Sequence, residues 1–189
     1  MNSSHALKEW AITGQALAQG RQIVLLRKGG LLDEDGSFAL EHSQFWLLPT
    51  WLHQERGLVK AADQDLWNQT PRESDEGPKI AYLRHFARVE RVWQLREDAQ
   101  AALEKVPHIW SAHYLDLRFG YQSDKPLLCA ALRVYQAEMP VRYELQAADL
   151  GCRSWVETAT PVTAQVRPAI GDAEFTARLK QVAHVLEAR

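Results

Sequence analysis

The sequence predicts an α+β domain whose strands are mostly antiparallel. Helical periodicity is confined to the two ends and one central stretch. Several runs between them have extended character. The order helix, strands, helix, strands, helix lacks the regular strand-helix alternation of a doubly wound sheet.

At the start, Leu7, Trp10, Ala11, Gly14, Leu17 and Ala18 recur at helical spacing. Ser3 or Ser4 stands where an N-cap belongs and Gly20 where a terminating glycine belongs, so an amphipathic helix is expected over residues 4–19. Gln22 to Lys28 is a short apolar run closed by Gly29 and Gly30, and residues 37–48 supply a second extended segment after an acidic turn. The two are expected to pair as a hairpin. Pro49 has no amide to give a ladder and is expected to end the second strand. Residues 68–79, polar and with two prolines, read as a flexible loop. Lys79 to Leu95 reads as a long, kinked strand or strand pair, and residues 96–106 as helical. Leu127 to Tyr135 has the continuous apolar character of a buried strand, which Pro140 is expected to separate from VRYEL. After a last strand near Val156, residues 171–189 form a helix with Phe175, Leu179, Val182 and Leu186 on one face behind an Asp172 N-cap.

The 189 residues fit a single domain, and 46% hydrophobic with 24% charged residues exclude disordered, collagen-like and membrane classes. No apolar run approaches the roughly 20 residues of a bilayer span, and MNSSHALKEW lacks the basic and apolar regions of a signal peptide, so a cytoplasmic location is expected. Cys129 and Cys152 have no CxxC spacing, which argues against a disulfide framework and a structural zinc site. They are expected to be reduced and buried. A net charge of -2 and a pI of about 6.4 exclude a generally cationic nucleic-acid binder while leaving room for a local basic face.

The stretch from Arg21 to Gln54 concentrates the unusual chemistry. Arg27 and Lys28 beside Gly29 and Gly30 could cradle an anion, because glycines let backbone amides approach closely, but the spacing of a phosphate loop or a dinucleotide fold is absent. The alternative is a turn flanked by solvated charges. His42, His53, His108 and His113 show no metal-ligand spacing, so no metal and no cofactor is expected. Glu41, His42 and His53 could still serve acid-base chemistry near neutral pH. A second pattern is cationic and aromatic. Arg84, His85, Phe86, Arg88, Arg91 and Trp93 share one segment, and Arg133, Tyr135, Arg142, Tyr143, Arg153 and Trp155 follow in later strands. Guanidinium groups for phosphate with rings for base stacking suit single-stranded nucleic acid, although arginine alternating with apolar residues also describes any half-exposed sheet.

The segments ALKEWA, QIVLLRKGG, FWLLPTWLHQ and GCRSWVE, in this order over roughly residues 6–157, resemble a prokaryotic family known only as a domain of unknown function. That resemblance implies no activity. KIAYLRHFARVERVW, a helix, LLCAALRVYQAEMPVRYEL and GCRSWV are similar in order to PUA-like barrels of the EVE and ASCH kind, which read RNA or modified bases. This second resemblance implies a partly closed β-barrel and a nucleic-acid or nucleotide-like ligand. Arg27, Lys28, Arg84 and Arg88 would contact phosphate, Trp46 or Trp51 would stack, and Gln54 would stand at the same edge. A hydrolase or nuclease, metal-dependent or acid-base, using Glu41, His42 and His53 is the competing expectation. A partner-binding module that self-associates through the C-terminal helix is the third.

Overall fold

Residues 1–28, 42–70, 79–150 and 153–188 are described by the computed structural model. Among these residues seven strands, β1 (Asn2–Trp10), β2 (Val24–Arg27), β3 (Gln44–Thr50), β4 (Ile80–Leu95), β5 (Leu127–Glu144), β6 (Trp155–Thr163) and β7 (Val166–Pro168), form one sheet. Its order is β2-β5-β4-β3-β1-β6, with β7 also paired to β5. All pairings are antiparallel except that of β1 with β3. The helices among the described residues are α1 (Ala11–Ala18), α2 (Leu66–Gln69), α3 (Gln100–Leu103), α4 (Ala112–Gly120) and α5 (Asp172–Glu187). None is long and apolar enough to cross a membrane.

The apolar run of β5 is buried on both faces, and alternate residues serve two cores. Cys129 and Ala131 join Val24, Leu26, Trp93 and Leu95 under the helices, where Ile12, Leu103, Leu115 and Phe175 also pack. Burial pushes the Cys129 thiol up to about 12. Leu128, Ala130 and Leu132 instead meet Leu7, Leu25, Phe45, Leu47 and Ala87. That second cluster unites β2 with β1, although β5, β4 and β3 stand between them in the sheet. The sheet therefore curls toward itself without closing. Arg27 ties the approach, its Nη1 donating to the Lys8 carbonyl at 3.2 Å and to Glu9 Oε2 at 3.3 Å. Bulges supply the bending. The β4–β5 register shifts between Leu83 and His85 and again between Val89 and Arg91.

Several expectations are corrected here. Residues 2–10 are strand, and the expected helix over 4–19 is helical only from Ala11. β1 is hydrogen-bonded on both sides and covered on both faces, with Ala6 and Leu7 each 0% exposed. Such a strand carries no polar alternation to distinguish it from a helix. Gly20 does terminate α1: its N–H donates to the Leu17 carbonyl at 3.1 Å and that of Arg21 to Ala16 at 2.9 Å, a Schellman closure. Gly20 has φ +67°, and a Cβ there would clash with Ile170 Cγ2, so both conformation and space require glycine.

The expected hairpin does not form, because β2 pairs with β5 while β3 lies between β4 and β1. Pro49 stays within β3, paired to Glu9, because the β4 ladder ends at Leu47 and leaves one side of the strand without a donor requirement. Pro140 likewise interrupts nothing. It sits where residues 137–140 bulge against Arg84, and β5 continues through it. Residues 71–78 of the expected loop lie outside the described residues. Residues 97–103 form a 3-10 turn running into the short α3. Gly171 is the N-cap of α5, not Asp172, whose carboxylate accepts from the buried Arg133 guanidinium. The apolar face of α5 packs on the chain's own core, with Phe175, Val182 and Leu186 buried in it.

Replacing Arg27 with Met leaves the Glu9 carboxylate buried without its cation. Urea denaturation of Arg27→Met is expected to show a loss of about 2–4 kcal/mol, reduced in the Glu9→Gln/Arg27→Met double variant; equal losses in single and double variants would refute the coupling.

Candidate functional site

β1 runs directly into α1, with Trp10 as the N-cap residue. The turn is fixed by two side chains. Glu9 Oε1 accepts the Trp10 N–H at 2.9 Å, and Gln54 Oε1 accepts the Ile12 N–H at 2.9 Å, satisfying amides that the first helical turn leaves open. α1 then lies against β4 with Gly14 facing His85: a Cβ on Gly14 would stand 3.4 Å from His85 Nδ1. The absent side chain brings the helix close to the imidazole.

Between α1 and the adjoining parts of β1, β3 and β4 lies a narrow pocket. Its interior leaves ≈ 40 Å³ for the centres of water-sized molecules, more than a single water requires. Leu47, Pro49 and Ala81 supply apolar lining; Trp10, Trp51 and Tyr82 supply aromatic rings; Glu9, Gln15, Arg84 and His85 supply polar groups. Burial, and secondarily the charge of Arg84, lower the His85 pKa to about 4. At neutral pH its imidazole is therefore uncharged, with one nitrogen donating and the other accepting. The Arg84 guanidinium lies over the Tyr82 ring, 5.5 Å from its centroid, and makes no hydrogen bond or ion pair among the described residues. Trp10 also borders a second, wider depression of ≈ 690 Å³ lined by His53, Glu55, Tyr114, Asp116, Arg118 and Tyr121.

Of the expected site residues that are described, Trp51 and Arg84 line the narrow pocket and the others do not. Arg27 serves the barrel tie. Lys28 Nζ donates to the carbonyls of Phe119, Gln122 and Lys125 at 3.2, 3.0 and 2.7 Å, closing the end of α4 instead of meeting an anion. Arg88 is ion-paired with Glu90 at 2.6 Å. Trp46 is 0% exposed and cannot stack on a ligand; its Nε1 donates to the Val162 carbonyl at 3.1 Å and its ring meets Phe86 edge-on. β3 is covered on both faces, which buries every large side chain in its middle. Gln54 is the helix cap described above. Gly29, Gly30 and Glu41 lie outside the described residues.

His42 and His53 do not converge. His42 stacks on His5 with centroids 3.5 Å apart before β3 begins, whereas His53 follows its end. The seven residues of β3 separate them, about 20 Å at ~3.3 Å per residue. The acid-base pair imagined for a hydrolase is not assembled. No group of three or more metal-ligating side chains occurs among the described residues. The pocket residues that sequence reasoning missed are chiefly Glu9, Trp10, Gln15 and Tyr82. The first three were hidden by reading residues 4–19 as one helix. His85 lay within the aromatic-cationic segment but carried no signal of its own.

The profile of a family described as a domain of unknown function, DUF1802, matches residues 6–181. No curated protein matches the sequence. Among solved structures, the ASCH protein from Zymomonas mobilis is similar at 14% identity and a TM-score of 0.41, covering 94% of this chain and 93% of its own. Two point mutants of that protein are similar at 13% and 11% identity, each with a TM-score of 0.43, covering 94% of this chain and 94% and 96% of theirs.

Because the folded His85 pKa lies below the ordinary value of 6.5, the unfolded chain binds more protons between about pH 6.5 and 4. Stability contributed by the neutral ring is present above that window and falls as pH drops through it. Urea midpoints of the parent protein are expected to decline more steeply from pH 7 to 4 than those of His85→Gln, and parallel profiles would refute the assignment.

Proposed function

We propose, for a chain that belongs to the DUF1802 family, that it is a binding module for nucleic acid or a nucleotide-like ligand, with the narrow pocket as its base site. The observation that carries this reading is the company kept by Arg84: an open guanidinium, a neutral imidazole and three aromatic rings around one small cavity. A flat heterocycle would pack its faces on Trp51 and Tyr82. Its polar edge would meet His85 and Gln15, which between them donate and accept. Arg84 would take the phosphate or ribose side. The chain's net charge of -2 supplies no general attraction for a polyanion, so affinity must come from the pocket. This distinguishes the reading from that of a basic groove.

Tryptophan fluorescence at low salt, titrated with nucleosides, nucleotides and short single-stranded RNA, tests it. Binding is expected to quench emission, and Trp51→Ala to weaken it about five- to one-hundred-fold, the range of one base stacked on one ring. Arg84→Ala is expected to weaken nucleotide binding more than nucleoside binding. Absence of quenching by all ligands, or a Trp51→Ala variant that binds like the parent, would remove the proposal.

A further inference from the structure

The wider depression beyond Trp10 has its own held cation. Arg118 Nε donates to the Tyr114 hydroxyl at 2.9 Å, and its guanidinium lies 5.1 Å from the centroid of the Tyr114 ring. That ring is itself fixed, stacked on the buried Trp110 at 5.5 Å and tilted against Trp10 at the same distance. The two terminal nitrogens of Arg118 have no hydrogen-bond or ion-pair partner among the described residues. The guanidinium is thus positioned with its terminal N–H groups open, although the Glu9 carboxylate lies near enough to favour its charge.

The rest of the depression is not simply cationic. Glu55 and Asp116 face it as exposed carboxylates, and Asp116 Oδ1 is oriented by Gln100 Nε2 at 2.6 Å. Tyr121 presents its ring with 57% exposure. His53 adopts φ 63°, a left-handed conformation uncommon outside glycine and often associated with functional sites. One cation and two carboxylates disfavour a stretch of bare phosphates. They suit a ligand with one phosphate followed by hydroxyl groups, since carboxylates accept hydrogen bonds from sugar hydroxyls.

We propose that this depression is the subsite for the nucleotide next to the one in the narrow pocket, and that the ligand is single-stranded RNA. Arg118 meets the linking phosphate, Tyr121 stacks the second base, and Glu55 and Asp116 accept ribose hydroxyls. The inference rests on the base-site reading of the narrow pocket. Trp10 borders both cavities, which sets the two subsites side by side for adjacent nucleotides of one strand. The 2′-hydroxyl is the group by which such a site separates RNA from DNA.

Titration calorimetry with ribonucleosides, ribodinucleoside monophosphates and their deoxy counterparts tests it. The ribodinucleotide is expected to bind about tenfold tighter than the nucleoside and about fivefold tighter than the deoxydinucleotide. Arg118→Gln is expected to erase most of the dinucleotide advantage. Tyr121→Ala, a change at an exposed side chain that leaves the fold intact, is expected to reduce it about fivefold. A nucleoside that binds while the dinucleotide binds no tighter would overturn the second subsite and leave the base site standing. Equal affinity for the ribo and deoxy forms would overturn the RNA assignment. A chain that binds no nucleoside would overturn both readings.

Discussion

The carboxylate of Glu9 is the constraint on which the other parts depend. One oxygen receives the amide of Trp10 at the point where β1 becomes α1, and the other receives Arg27 from β2. Glu9 also walls the narrow pocket. A buried ion pair of this kind adds little net stability over an apolar pair of the same shape, but it penalises arrangements that leave either charge unpaired. The pair therefore specifies geometry: β2 must lie against β1, and the helix must start where it does. The contact of Gly14 with His85, and with it the width of the pocket, follows from that placement.

Cations in this chain divide by what holds them. Arg27 and Arg88 are paired with carboxylates, Lys28 with a trio of backbone carbonyls, and Arg133 with both the Asp172 carboxylate and the rings of Tyr135 and Phe175. Arg84 and Arg118 are held on aromatic faces, those of Tyr82 and Tyr114. The difference is chemical. A ring face steadies a guanidinium while leaving the N–H groups along its plane unsatisfied, whereas a carboxylate consumes them. Arg84 and Arg118 thus keep donor capacity for an incoming group, and both border cavities.

This division explains how far the site was legible in the sequence. A cation beside glycines looks alike whether it awaits an anion or caps a helix, and the partners that decide the matter lie far along the chain. Glu9 stands 18 residues before Arg27, and the carbonyls that hold Lys28 lie 91 to 97 residues after it. The long kinked β4, the buried run of β5, the Gly20 terminator and the apolar stripe of α5 were all readable, because each is encoded locally in periodicity or a single special residue. β1 was not readable. Its burial on both faces is conferred by β3 and β6, and HALKEW by itself fits a helix as well as a strand. The misreading then concealed Glu9 and Trp10, so the pocket's most constrained wall was the part least visible in advance.

The same placement of β1 has a consequence for the chain as it is made. Asn2 pairs with Thr163, and the amino group of Met1 donates to the Ala164 carbonyl at 2.8 Å. At a synthesis rate of about 5–20 residues per second, β1 waits on the order of 10–30 s for β6 to emerge. β3, its parallel partner, is made much earlier, but the β6 edge of β1 stays bare throughout that interval, the kind of edge that pairs with the wrong neighbour. Its composition answers the exposure. Asn2, Ser3, Ser4 and His5 open the strand, and Lys8 and Glu9 charge its far end, leaving Ala6 and Leu7 as a short apolar step between polar flanks. The residues that made β1 look unlike a strand are those that protect its second edge until β6 arrives.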